Sequence, residues 1–442
     1  MRTPKPVPAA YKPPTNPLYK GNPLIEAMEL LTNQAVMERL SFHPPYDPKD
    51  REASVAVRRD LLDNLRHFFQ ALPRHLTLSN HLQSMIRIGY AARCPDWGNE
   101  LMPDLIQPLV SGALLGLSGL GKTVSVERVL RLQPQVVVHH EYLGKELYTD
   151  NVLGQKQVVW VRAECPHNRS ARLLCMSILG SLDRALGTTY LATFGGRSST
   201  STSMFPELDR LMRQHFVGLL VIDEFQNLSL GRGVQGTNEL FSFLVRIIND
   251  LSVPVLMIGT ASTATPGQEF EVVDQAFRGR RRATGLTDPV WTALSRGSTE
   301  WEIFSTQLWS YQYLRKECPL TPALDMAFYE LCQGIPDLAV KLYQQAQIIA
   351  ISDGEEELTP EFLVAVARQV LAASQKPLES LRMAAGSVAI QGRQAELSLV
   401  TSAPIAPATA GGTGRKKKAK VQVSVPGPAP LLTKIVDSEE AD

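Results

Sequence analysis

Two short stretches of this 442-residue chain carry side chains suited to handling a polyphosphate. The first is Gly116-Leu117-Ser118-Gly119-Leu120-Gly121-Lys122-Thr123. Its glycines let the backbone bend so that successive N–H groups face one anion, the arrangement of a P-loop. Lys122 adds a mobile positive charge for β- and γ-phosphates, and the Thr123 hydroxyl is placed to coordinate Mg²⁺. Residues Gly116 to Thr123, with Val124 opening the helix that follows, are therefore the expected ATP contacts. The second stretch is Asp223-Glu224, at the end of the apolar run 217–222. Such a run is a buried parallel strand delivering acids to its C-terminal end. Asp223 suits the Mg²⁺ shell, and Glu224 suits a general base that polarises the attacking water. Capping the next helix is the plainer use of Asp-Glu, but the upstream P-loop favours the catalytic one.

Two further features complete the constellation. Thr260 ends another apolar run, 253–260, where its hydroxyl can meet the water or the γ-phosphate. Arg278, Arg280, Arg281 and Arg282 crowd into five positions. They suit a solvated face, a DNA contact, or a finger that reaches a neighbouring subunit's γ-phosphate.

The elements that position these residues can be read from periodicity and breakers. A buried strand over 110–115 and a helix over 124–131 flank the P-loop. Two β-rich runs, 135–142 and 157–164, joined through the polar stretch 144–154, read as a strand pair. A helix over 170–186, a flexible Gly/Ser/Thr loop over 194–203 and helices over 205–216 and 238–249 follow. The run 301–304 reads as the last strand of the core. Helices over 307–314, 322–332, 338–349 and 360–371 make a small lid. Ahead of the core, Leu24, Ile25, Met28 and Leu31 recur at helical spacing, with further helices over 55–72 and 81–92. Arg87 and Arg93 near Tyr90 read as a solvated helix face. The expected division is an extended Pro-rich arm (1–23) with little to bury, read as disordered, a helical region (24–100), an α/β ATPase core (101–304), a helical lid (305–373) and a disordered interaction tail (374–442).

Composition narrows the rest. Forty-five basic against 44 acidic residues leave net charge silent about nucleic acid. Five cysteines without a CxxC pair read as reduced thiols of a cytosolic protein. Cys165-Pro-His167 lacks a second ligand pair and reads as packing. No apolar run is long enough for a membrane span and the N-terminus lacks an apolar signal core, so no membrane partner is expected.

P-loop, Asp-Glu strand, polar strand end, arginine cluster and helical lid, in that order, resemble an AAA+ ATPase. Four strings narrow the resemblance: Glu164-Cys-Pro-His167, Leu182-Asp-Arg-Ala-Leu-Gly-Thr-Thr-Tyr190, Ile222-Asp-Glu-Phe-Gln-Asn-Leu228 and Gln333-Gly-Ile-Pro-Asp-Leu-Ala-Val-Lys-Leu-Tyr343. These look like the TnsC family and its TniB relatives, AAA+ regulators of heteromeric DNA transposons, over residues 24–373. The resemblance implies an ATP- and Mg²⁺-dependent protein of the bacterial cytosol and nucleoid. Such a protein self-assembles as rings or filaments, of hexamer or heptamer type, on double-stranded DNA. It connects a target selector of TnsD or TniQ type, in some systems with a CRISPR effector, to the TnsA/TnsB transposase, with the tail docking the transposase. By position, Lys122 and Thr123 bind nucleotide and Mg²⁺, while Asp223 and Glu224 serve hydrolysis. Where many AAA+ lids carry the arginine called sensor 2, this chain has Asp337, leaving Lys341 as the basic substitute. An origin-recognition or helicase-loader ATPase shares the core plan and is the alternative, although 375–442 does not read as the winged helix usual there. A nucleotide-gated scaffold that does not hydrolyse ATP is a third reading, and the intact Glu224 speaks against it.

Overall fold

The computed structural model describes residues 5–99, 110–149, 152–168, 170–228, 240, 242–247, 253–260, 290–375, 378–379 and 381–382. They all belong to the compact unit Met1–Ala385. The tail from Gly386 and the cluster Arg278, Arg280, Arg281 and Arg282 lie outside the described residues.

In chain order the strands are β1 (Val7–Pro8), β2 (Gly112–Gly116), β3 (Val136–His139), β4 (Gln155–Val158), β5 (Trp160–Glu164), β6 (Leu219–Asp223), β7 (Val255–Thr260) and β8 (Val290–Trp291). Two short hairpins join β3 to β4. Among the described residues the helices of eight residues or more are α1 (Asn33–Leu40), α2 (Val55–Leu62), α3 (Pro73–Ala91), α4 (Lys122–Leu130), α5 (Ala171–Leu186), α6 (Ser201–Gln214), α7 (Thr299–Trp309), α8 (Pro322–Cys332), α9 (Pro336–Asp353) and α10 (Pro360–Val370), with short helical turns at Pro23–Glu26 and Tyr190–Phe194. Residues 240 and 242–247 are also helical.

The central sheet is parallel throughout, in the order β8-β2-β7-β6-β5. Period-two alternation divides its side chains between two cores. Leu219 and Val221 belong to the core on the α3 side, whereas Leu220 and Ile222 belong to the core built with α5 and α6. Both faces being covered explains why β6 reads as one unbroken apolar run. Ser170 caps α5 by accepting the Leu173 N–H, and Thr200 caps α6 through Ser203.

Several expectations are corrected. The run 157–164 does not form one strand paired with 135–142. Its first part belongs to β4, antiparallel to β3 in a separate three-stranded sheet, and its second part is β5 of the central sheet. The chain changes sheets at Val158 and Val159, whose N–H groups donate to His215 and Gln135 carbonyls, both at 2.8 Å.

Residues 301–304 are not a strand but lie inside α7. Trp301, Phe304, Ser305, Leu308 and Trp309 are the buried positions, a helical stripe, and Ser298 caps the helix. The last sheet strand is β8 instead. The expected helix 307–314 ends at Trp309, and Tyr311, Tyr313 and Leu314 are buried beyond it.

The expected helix 55–72 stops at Leu62 and continues as 3₁₀ turns to His67, after which Phe69 bridges Phe42. Pro73 forces Leu72 into extended geometry and then begins α3, eight residues earlier than position 81. The loop over 194–203 is shorter than expected, because Ser201 already starts α6, and Arg172 ties it down through the carbonyls of Ser199 (2.8 Å) and Gly196 (2.9 Å).

The Pro-rich arm is ordered where described. β1 adds to the edge of β3, and Tyr11 Oη bonds His139 Nδ1 at 2.8 Å. Proline is tolerated there because an edge strand needs only one hydrogen-bonding side. Arg87 is buried rather than solvated, and half-buried Arg93 donates to the Gly89 and Val217 carbonyls at 2.8 and 2.9 Å.

Candidate nucleotide site

The C-terminal edge of the sheet brings the expected residues together. β2 ends at Gly116, in register with Thr260 on one side and Trp291 on the other. A Cβ on Gly116 would stand 2.5 Å from the Trp291 carbonyl oxygen. On Gly119, at φ +82°, it would stand 2.9 Å from Ile335 Cγ2 of the lid. Both glycines thus answer to neighbouring backbone and lid as well as to the approach of an anion. The nine-residue helix α4 starts at Lys122, so its first N–H groups open toward the loop. Lys122 is 7% exposed, and its Nζ donates to the Gly116 and Leu117 carbonyls at 2.8 and 2.7 Å. Burial pulls its pKa down to about 8, against the opposing pull of Asp223 and Glu224.

Thr123 and Asp223 face each other, Oγ1 to Oδ1 at 3.2 Å. Hydroxyl and carboxylate are the hard oxygen donors Mg²⁺ takes. The pair therefore fits that ion, with Thr123 and Asp223 as the residues that would hold it. The Glu224 N–H donates to Asp223 Oδ1 at 2.9 Å, and Glu224 itself is exposed, with φ +56°. Thr260 is half-buried at the end of β7.

These groups line a cleft of about 320 Å³ together with Ser118, Gly119, Gly121, Val124 and Asp337. A second cavity of about 780 Å³ opens beside it, walled by Phe68, Phe69, Leu72, Leu294 and Val340, with Leu120 and Lys341 also on its wall. The two share Gly119, Gly121, Val124 and Asp337. Phosphates suit the first, and a heteroaromatic base suits the apolar second. The lid touches the P-loop directly: the Asp337 N–H donates to the Gly119 carbonyl at 3.2 Å. Lys341 Nζ is 2.7 Å from Asp337 Oδ2, so the basic residue of α9 is engaged by the acid one turn before it.

Three contributors escaped the sequence reading. Arg162 on β5 holds Asp223 Oδ2 at 3.0 Å and reaches Glu127 and Glu164, each at 3.4 Å. An arginine set between apolar Val161 and Ala163 of a buried strand was the available signal. Gln226, two residues after Glu224, donates to the Glu224 carboxylate and accepts the Thr260 N–H at 2.8 Å. His75 is buried, takes the Leu72 N–H on Nδ1 and bonds Ser125 Oγ through Nε2 at 3.1 Å. Burial lowers its pKa to about 4, so it is neutral beside the P-loop helix. Cys165 and His167 gather no ligand set, and among the described residues no three His, Cys, Asp or Glu side chains converge as a metal site would require. All five cysteines are free thiols. Among the described residues no helix is long and apolar enough to cross a membrane.

Residues 110–265 match the family model described as AAA domain. No curated protein sequence matches the chain. Among solved structures, a Walker-type ATPase of Pyrococcus abyssi is similar with 14% identity and a TM-score of 0.40, over 62% of this chain and 71% of that one. Cdc6p from Pyrobaculum aerophilum shares 14% identity over 68% of each chain, with a TM-score of 0.37. The ORC2 protein of Aeropyrum pernix, solved with ADPNP and ADP, shares 14% identity over 59% of this chain and 62% of that one, with a TM-score of 0.33. The core is an AAA+ P-loop ATPase fold: a parallel sheet flanked by helices, followed by a helical C-terminal region.

Proposed function

We propose that this chain is an ATPase regulator of DNA transposition. With ATP and Mg²⁺ it assembles on double-stranded DNA and connects a target-selecting protein of TnsD or TniQ type to a TnsA/TnsB-type transposase; hydrolysis then dissolves the assembly. The observation that carries the ATPase part is the cleft itself, where Lys122, Thr123, Asp223, Glu224 and Thr260 converge from three neighbouring strand ends. In it Lys122 and the loop N–H groups bind the phosphate oxygens, and Thr123 and Asp223 hold the metal. Glu224 takes the proton of the attacking water as the new O–P bond forms and the bond to the ADP oxygen breaks.

The transposition part rests on the four strings that resemble TnsC proteins, three of which have residues at or beside the nucleotide site. The Cys165 N–H donates to the Asp223 carbonyl, and Asn227 Nδ2 to the Cys165 carbonyl, both at 2.8 Å. The string from Gln333 supplies the lid contact on Gly119. Residues of three of the strings thus line or brace the nucleotide cleft. Within the proposal, one of Arg278, Arg280, Arg281 and Arg282 reaches the γ-phosphate of a neighbouring subunit, and residues 374–442 dock the transposase.

Two measurements test this. Glu224→Gln should retain nucleotide binding and lose about 10²–10⁴-fold in hydrolysis, the usual worth of a general base. Electron microscopy of wild type with ATP and duplex DNA should show rings or filaments that are absent without ATP. Wild-type hydrolysis by Glu224→Gln would remove the assigned chemistry; a monomer under all conditions would remove the assembly.

A further inference from the structure

The main chain of Glu224 is held from several sides. Its N–H donates to Asp223 Oδ1 at 2.9 Å, its carbonyl accepts the Asn227 N–H at 3.0 Å, and Asn227 is anchored on the Cys165 carbonyl at 2.8 Å. Its φ of +56° is a conformation that non-glycine residues adopt only when their surroundings impose it. The carboxylate is another matter: it is exposed, on a side chain with three rotatable bonds, and needs a partner to hold one position.

Gln226 is that partner. Its Nε2 donates to Glu224 Oε2, while its Oε1 accepts the Thr260 N–H at 2.8 Å. The chemistry of the two ends allows one amide orientation. A backbone N–H can only donate and an ionised carboxylate can only accept, so oxygen faces Thr260 and nitrogen faces Glu224. Gly259 leaves the space: a Cβ there would stand 3.4 Å from Gln226 Oε1 and 3.3 Å from Phe225 Cδ1.

We propose that Gln226 is a positioning residue that fastens the Glu224 carboxylate to the end of β7 and so sets the base relative to Thr260. This rests on the ATPase reading above. A shift of the β7 end then moves the base with it, which couples the two strand ends without any direct contact between Glu224 and Thr260.

The test is a double-mutant cycle with a second readout that does not need turnover. Gln226→Ala should lower kcat on the order of tenfold, since misplacing a catalytic group by about 1 Å can cost up to about 10², with nucleotide Kd within about twofold. Gln226→Glu keeps an acceptor for Thr260 but presents a second carboxylate to Glu224, so it should fall at least as far. In the Glu224→Gln background, Gln226→Ala should cost nothing further, because it acts through the group already removed. An equal loss in both backgrounds, or an unchanged kcat, overturns the proposal. The second readout is the ¹⁵N side-chain amide resonance of Gln226, which should move in Glu224→Gln, together with faster exchange of the Thr260 amide in Gln226→Ala. Turnover without these signals sinks this inference alone. These signals in a wild type that binds but never hydrolyses ATP would sink the ATPase reading and this inference with it.

Discussion

Raising the pH should weaken nucleotide binding, and the position of Lys122 sets by how much. Lys122 is 7% exposed, and burial brings its pKa to about 8. At that value roughly one lysine in ten lacks its proton at pH 7 and roughly nine in ten at pH 9. Bound phosphate oxygens hold the proton on, so a deprotonated lysine must take one up when nucleotide arrives. Binding that takes up a proton weakens as pH rises. The apparent Kd for ADP should therefore increase about tenfold from pH 7 to pH 9, one decade for the one decade of charged lysine lost. A terminal phosphate gives up its last proton near pH 6, below this window. Calorimetric titration measures both quantities, since proton uptake makes the observed enthalpy depend on the buffer. Lys122→Arg, which stays charged throughout, should remove the slope while weakening binding through its different shape. A wild-type Kd constant within about twofold from pH 7 to pH 9 would refute the placement of a desolvated lysine at the phosphates.

Two further outcomes concern buried ion pairs, one away from the cleft and one at Asp223. Glu356→Ala strips the carboxylate from Arg58, which is fully buried and donates to it through two nitrogens at 2.8 Å; the loss should be about 3 kcal/mol, the low end for a broken buried pair because Glu356 keeps some exposure. Arg58 also holds the Glu356 carboxyl below the usual carboxylate range, so that stabilisation is present above that range and lost as pH falls through the folded-state value; an unchanged urea midpoint for Glu356→Ala speaks against both. Arg162→Ala leaves buried Asp223 without its guanidinium and should lower the urea midpoint by an amount worth on the order of 3 kcal/mol. Arg162→Lys should recover only part, because one ammonium cannot reach Asp223, Glu127 and Glu164 together; midpoints of wild type and Arg162→Ala that coincide would refute this.

The chemistry was legible in the sequence wherever one local run had to satisfy a local rule. Gly116 to Thr123 between a strand and a helix, and Asp223-Glu224 after an apolar run, name their roles because a strand end and the turn beyond it are set by adjacent residues. The covered sheet faces were legible for the same reason, since strands buried on both sides have no polar alternation. Where two environments compete for one run, sequence was mute. Residues 157–164 satisfy two sheets equally well as a pattern, and the split at Val158 is decided by Gln135 and His215, which lie elsewhere in the chain. Trp301 to Phe304 is too short to separate a strand from one turn of helix until the stripe continues to Trp309. The arm looked unable to bury anything because its partners, β3 and His139, are more than a hundred residues away. Tertiary structure alone set Asp337 against Gly119, gave Asp223 its arginine and joined Glu224 to Thr260 through Gln226. Unlike the Lys341–Asp337 pair, which lies at i,i+4 spacing within one helix, each is a hydrogen bond or ion pair whose geometry depends on how separate elements pack, and no spacing within a single run encodes that.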